Sequence, residues 1–292
     1  MTNTRNDAQK VLVTGATGSV GRQVVAELLA RGARVRALTR NPARAGFPAE
    51  VEVVRGDLAD PATLAPALDG VEAVHLIVFG GEDYAPLATG PEILARAAKA
   101  GVRRVTVLHG GGPSPLEDAV RGNEHGLEWT VLMPVEFMSN ALFWADDIKT
   151  HGRVEEPFTD RVSSMVHEGD IGAVAAVALL SRDGGHHGKA HVITGPAALS
   201  VHDKVRILGA ARGAEIGLVE LTAEQAVERM RAQHMPQETI DFMLEVYGNT
   251  PVEGRTVATT VQDVTGRPAR TFEEWAAAHA DAFRAEPGQA DV

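Results

Sequence analysis

Apolar residues come in short runs along the first half of this chain, with amphipathic stretches between them. Val11, Leu12 and Val13 read as a buried strand closed by Thr14-Gly15, and Ser19 to Arg31 reads as a helix. Arg34 to Thr39 alternates and stops at the turn Arg40-Asn41-Pro42. Val51 to Arg55, Glu72 to Val78, Arg104 to Leu108 and Leu127 to Met133 are further strands. Asp60-Pro61 starts a short helix, Pro91 to Ala100 is a helix ended by Gly101, and another runs from about Ser114 to His125. Strands that alternate with helices imply a parallel sheet covered on both faces.

Beyond Pro134 the pattern changes. Met138 to Lys149 reads as helix and Ser163 to Val166 as a short strand. Asp170 caps an apolar helix through Leu180, and Ala190 to Thr194 is expected as the last sheet strand. Ser200 starts a helix, and Glu215 to Glu220 is a strand. Thr222/Gln225 and Thr271/Glu274 are capping boxes that open helices. Pro236 to Tyr247 is helical, with Phe242, Met243 and Val246 on one apolar face.

The first strand and helix are joined by Gly15, Gly18 and Gly21. A strand, a tight glycine turn and a helix N-terminus make a cradle for a pyrophosphate: Gly15 allows the turn, Gly18 admits the phosphates, and Gly21 lets helix and strand pack closely. In such a sheet the end of the second strand meets the adenosine ribose. Arg40 stands there in place of an acidic residue and suits a 2′-phosphate, so NADPH is expected over NADH, with Arg36 and Arg44 as assistants. Asp57, at the end of the third strand, is placed to accept from the adenine amino group. Phe79-Gly80-Gly81 lets backbone approach the nicotinamide ribose. His75, inside a strand, reads as a core histidine.

Composition narrows the field. The chain has 292 residues, 44% of them hydrophobic, and no cysteine, which rules out disulfides and thiolate chemistry and suits a cytoplasmic setting. No apolar run approaches the roughly 18 residues of a membrane span. The N-terminus is not expected to be a signal peptide. The net charge of −11 is uneven: +3 over residues 1–60 and −14 over the rest. An acidic body argues against nucleic acid, and the basic N-terminal part fits an anionic cofactor. The 23 arginines against five lysines point to a high-GC genome.

TGATGSVG, LTRNP, RGDLADPATLAPALDGVEAV, GLEWTVLMPVEFMSNALFW and VTGRPARTFEEWAAAHADAF resemble the atypical short-chain dehydrogenases/reductases of the NmrA-like group, over about residues 10–284. The resemblance implies an α/β fold: a Rossmann doubly wound parallel sheet with a small C-terminal α/β substrate-binding domain. The expected division is a flexible N-terminus at 1–9, an NADP-binding domain at 10–150 with its sheet completed by about 165–195, a substrate-binding region at 196–285 and a loose tail at 286–292. By position, Thr17, Gly18, Ser19 and Val20 touch the pyrophosphate, Arg40 the 2′-phosphate, and Asp57-Leu58 the adenine. Val78, Phe79 and Gly80 line the ribose. Leu108 and His109 lie near the nicotinamide, and Pro134, Val135 and Phe137 beside its carboxamide.

One departure matters. The Tyr-x-x-x-Lys pair of most short-chain dehydrogenases is absent, since Ala88 follows Tyr84 by four and Pro251 follows Tyr247 by four. Hydride transfer then needs another proton donor, and His109 and Tyr84 are the candidates. A phenol beside the substrate ketone also polarises it. The expected reaction is reduction of a ketone on an aromatic polyketide; resemblance to NmrA-like ketoreductases that lack the pair implies the angucyclinone kind found in antibiotic biosynthesis. The partner is a polycyclic aromatic ketone or quinone, with no nucleic acid, membrane or metal, and the oligomeric state is open. Phe79, Tyr84, Met133, Phe137, Met138, Phe143 and Trp144 are the expected pocket walls. A non-catalytic NADP(H) sensor and an NADPH:quinone reductase are the alternatives. The His109-Gly-Gly-Gly112 run lacks a Gly-x-Ser-x-Gly partner for a hydrolase. Asp183, His186 and His187 form a surface turn, and no Walker lysine follows the glycines.

Overall fold

A computed structural model describes residues 8–81, 84–122 and 124–284. The expected flexible start, the loose tail and the loop start at Glu82-Asp83 fall largely outside these residues. Seven strands form one parallel sheet: β1 (Lys10–Val13), β2 (Arg34–Thr39), β3 (Glu52–Arg55), β4 (Ala73–Ile77), β5 (Arg104–Leu108), β6 (Glu128–Pro134) and β7 (Lys189–Ile193). Their order is β7-β6-β5-β4-β1-β2-β3, and every neighbouring pair is parallel. The chain turns back at β1, so a crevice opens between the carboxyl ends of β1 and β4, where such sheets hold ligands.

The strands are near-continuous apolar runs because helices cover both faces. On one face α2 (Gly90–Lys99) and α3 (Pro115–Gly122) bury Ile93, Leu94, Leu116 and Val120 against Leu12, Leu76 and Val105. On the other, α1 (Ser19–Ala30) packs on α4 (Glu168–Leu180). The latter helix is buried on nearly all sides, as its uniformly apolar sequence requires, and it starts two residues before the expected Asp170 cap. His75 is fully buried, with Nδ1 2.8 Å from Thr106 Oγ1.

The chain forms two compact units. The first is the chain up to Pro134 together with Glu168–Ile193 and Thr260–Arg267. The second is Val135–His167, Thr194–Thr259 and the chain from Pro268 onward. The contacts therefore place the first crossing at Pro134, before the boundary expected at 150. They also return Thr260–Arg267 to the first unit, where Arg267 Nη2 meets both Glu27 carboxylate oxygens at 3.2 Å. A short-range sequence pattern cannot show such a return.

The second unit is built around Met138, Trp144, Ile148, Val154, Leu208, Phe272, Trp275 and Phe283. Helix α5 (Val201–Arg212) is opened by a reciprocal Ser200/Asp203 box, and both expected threonine boxes form. The segment expected as one helix from Met138 is a 3-10 stretch, Met138–Trp144, followed by the α-helix Ala145–His151. Arg153–Pro157 pairs in parallel with Gly217–Leu221. The first of these strands has no clear signal in its sequence, because RVEEP carries three charges and one fully buried core valine.

Candidate functional site

The glycine turn follows from three backbone facts. Gly15 has φ +57°, and a Cβ there would meet the Ile77 side chain at 2.8 Å. A Cβ on Gly21 would lie 2.1 Å from the Gly15 carbonyl oxygen, so any side chain would push the helix off the strand. Gly18 caps α1 with extended backbone, no side chain caps the helix, and no acidic residue lies in its first turn. The α1 N-terminus is thus open to an anion, with its dipole unopposed. Thr17, Gly18 and Ser19 are exposed there, whereas the Val20 side chain belongs to the core and offers only its backbone. The turn is tied to β4: Thr14 N–H donates to the His75 carbonyl at 3.0 Å and Ile77 N–H to Thr14 Oγ1 at 3.1 Å. Ile77 in turn pairs with Leu108 in β5.

Beyond the end of β2, Arg40 is exposed. Its Nη1 donates to the Gly81 carbonyl, and its guanidinium lies 5.8 Å from the Tyr84 ring. The tip of the small hairpin Phe79–Gly80/Ala85–Pro86 therefore meets the β2 end. This placement puts Tyr84 beside Arg40 at the end of β2. The expectation for Arg36 is corrected. It is 4% exposed and its Nη1 donates to the carbonyls of Pro66, Ala67 and Asp69, while Nη2 pairs with Glu52 at 2.8 Å. It closes the end of a short helix and is not available to a phosphate. Arg44 is exposed. Asp57 Oδ1 accepts from Ala59 N–H at 3.0 Å, and the Leu58 carbonyl accepts from Thr89 Oγ1 at 2.8 Å, its side chain being core.

On the other side of β1 from β2 lie the carboxyl termini of β4, β5 and β6. Val78 is core, and its carbonyl accepts from Leu87 N–H at 2.9 Å. Phe79 is half-buried, and its ring fills the space a Cβ on Gly110 would need, at 2.5 Å. His109, next to that glycine, is half-buried; its N–H donates to the Leu132 carbonyl at 2.8 Å. Its ring Nδ1 is 2.7 Å from Glu117 Oε2 in the first turn of α3. The other carboxylate oxygen takes Arg121 Nε at 3.0 Å and Nη2 at 2.7 Å. Burial pushes the Glu117 carboxyl up, but the hydrogen bonds and charges of His109 and Arg121 outweigh it and hold the group below the usual range. Sequence reading missed Glu117. Its signal was Ser114-x-x-Glu117 at a helix start, and Ser114 Oγ does accept from Glu117 N–H at 3.2 Å. The carboxylate turns to His109 instead of closing the box. Met133 and Pro134 are half-buried at the end of β6.

In the second unit, Val135 and Phe137 are half-buried, and Phe137 bridges to Val166. Met138 is 1% exposed and part of the core, which removes it from the expected pocket wall. Trp144 is buried too, its indole N–H donating to Glu156 Oε1 at 2.7 Å, whereas Phe143 is 82% exposed. The 3-10 turn divides the segment this way: Met138, Ala141 and Trp144, three apart, face inward. Glu136, between the expected carboxamide neighbours, binds the buried Lys204 ammonium at 2.8 Å. His186 and His191 face each other at 3.1 Å, and no group of three metal-ligating side chains occurs among the described residues. No helix of the described residues is long and apolar enough to cross a membrane.

Comparison with known proteins agrees with this layout. A family model for NAD(P)H-binding domains matches residues 15–119. The chain is 35% identical over 288 residues to an NAD(P)H azoreductase of Xenophilus azovorans, covering 94% of this chain and 99% of that one. It is 36% identical to the (4-alkanoyl-5-oxo-2,5-dihydrofuran-3-yl)methyl phosphate reductase of Streptomyces griseus, covering 94% of this chain and all of the relative. Among solved structures, the NADPH-dependent quinone oxidoreductase of Escherichia coli complexed with NADPH superposes with a TM-score of 0.75. It is 24% identical over 92% of this chain and 99% of that one. Glycine turn, parallel sheet and full-length relatives agree: the chain belongs to the NmrA-like, atypical short-chain family of NAD(P)H-dependent oxidoreductases.

Proposed function

We propose that this protein uses NADPH to reduce a conjugated carbonyl on a small aromatic molecule, a quinone or a polycyclic ketone of the angucyclinone kind, with His109 as proton donor. The observation that carries this reading is the position of His109. It lies at the carboxyl end of β5, beside Phe79, on the sheet edge that the glycine turn reaches through Ile77 and Leu108. Thr17, Gly18 and Ser19 hold the pyrophosphate, Arg40 the 2′-phosphate and Asp57 the adenine amino group. NADPH bound there would supply a hydride to the carbonyl carbon. His109 Nε2 would give the carbonyl oxygen its proton. Ketone, NADPH and a proton become alcohol and NADP⁺; a quinone gives first the hydroxydienone, which loses the proton from its new C–H to solvent and gains one on the remaining carbonyl oxygen to become the hydroquinone. Half-buried apolar groups, Phe79 and Met133, exclude water from this edge. The relatives' names give an azo compound, a quinone and an acyl dihydrofuranone as acceptors, which favours a conjugated acceptor over an isolated ketone.

The test is NADPH consumption with a panel of quinones and hydroxylated polycyclic ketones, products identified by mass. Stoichiometric alcohol or hydroquinone is expected. Tight NADPH binding with no panel member reduced would contradict the reading.

A further inference from the structure

Helix α3 is short, exposed on one side, and needs no buried charge to stay folded. It nevertheless buries one. The Glu117 side chain is 9% exposed; its carboxylate is held by Arg121 on Oε1 and His109 on Oε2, while its backbone N–H donates to Ser114 Oγ. A surface ion pair with Arg121 would satisfy the helix alone, as an ordinary pair one turn apart. Oε2 is instead spent on His109, eight residues away across the glycine loop.

An ionised carboxylate has only acceptor capacity, so the hydrogen between it and His109 belongs to the imidazole. Nδ1 must carry N–H in every protonation state, and Nε2 alone gains and loses a proton. The Arg121 guanidinium, itself 5.5 Å from the Trp129 ring, keeps the carboxylate from swinging away. We infer that Glu117 is the positioning residue of the reductase, holding His109 in the Nδ1–H tautomer so that Nε2 faces the reacting carbonyl. This rests on His109 being the proton donor. The bookkeeping is simple: the cationic ring gives its Nε2 proton to the new alkoxide, returns as the neutral Nδ1–H form, and takes a proton from water at Nε2. Glu117 stays ionised throughout.

The experiment is nitrogen NMR of the full chain labelled in histidine, with H109Q used to assign the His109 signals, alongside steady-state rates of E117Q. The expected results are neutral His109 protonated at Nδ1 in the unaltered chain and a mixture of tautomers in E117Q. E117Q should also lose about tenfold to a hundredfold in kcat, part of what general acid catalysis supplies, with KM for NADPH unchanged. A neutral His109 protonated at Nε2 in the unaltered chain overturns the inference, and that measurement needs no variant to fold. So does an E117Q chain with tautomer and kcat unchanged. An H109Q chain reducing its acceptor at the unaltered rate removes the proton-donor reading, and the positioning role with it, whatever the tautomer.

Discussion

In the proposed reading, single residues carry the cofactor preference and the acid limit of this protein. Arg40 stands exposed where the ribose phosphate is expected, and its present partner is a backbone carbonyl, which a dianion displaces at little loss. Arg40→Glu should raise Kd for NADPH by about tenfold to a hundredfold, the worth of one charge-assisted contact, and leave NADH within about threefold. Parallel titrations measure this, and equal weakening of both cofactors would remove the assignment. His75 is the acid-sensitive group. Burial pushes its pKa from 6.5 down to about 4, and its Nε2 has no hydrogen-bond partner. The unfolded chain therefore takes up the proton first as pH falls. The His75 contribution to stability is present above pH 6.5 and should be lost between 6.5 and about 4, by about 3 kcal/mol. Denaturant midpoints across that range should show the slope, and His75→Gln should flatten it. An unchanged slope in the variant would place the acid limit elsewhere.

At the scale of elements, local pattern and tertiary contact separate cleanly. The strand, glycine turn and helix at Lys10–Ala30 were legible because period, turn chemistry and capping all agree there. The threonine boxes were legible for the same reason. The His109–Glu117 bond was not, since it depends on how the loop after β5 folds over α3. Apolar character was a poor guide to exposure in the second unit. Met138 and Phe143 look alike in sequence, but the 3-10 register buries one and exposes the other. The helix Gln237–Gly248 has its expected apolar face, yet only Ile240 is buried and Phe242 is exposed. The second unit also contains a charge pair invisible to pattern. Lys204, 0% exposed on α5, reaches Glu136 and Ser163, each at 2.8 Å. Burial lifts the Glu136 carboxyl, but Lys204 and Ser163 more than offset this and keep it below the usual range. Lys204→Met strands that carboxylate and should cost about 3–5 kcal/mol in urea unfolding. Lys204→Met with Glu136→Leu should recover most of the loss. A double variant as unstable as the single would show that the pair is not the source.

Across the whole molecule, the seven sheet strands and their alternation with helices were legible in the sequence, and the resemblance supplied the fold family. The interleaving of the two units did not, because Thr260–Arg267 returns to the first unit through contacts made far from its place in the chain. The charge pattern retains its meaning at this scale. The basic first 60 residues contain the glycine turn and Arg40, and the whole second unit lies in the acidic remainder. The proposed function joins these parts: the sheet edge bearing the glycine turn would also bear the acid that completes the reduction. The direct measurement is the rate at which bound NADPH is oxidised by a quinone or polycyclic ketone of the panel, compared between the unaltered chain and H109Q. Equal NADPH affinity with a rate about a hundredfold lower in H109Q is predicted; equal affinity with an equal rate would contradict the account.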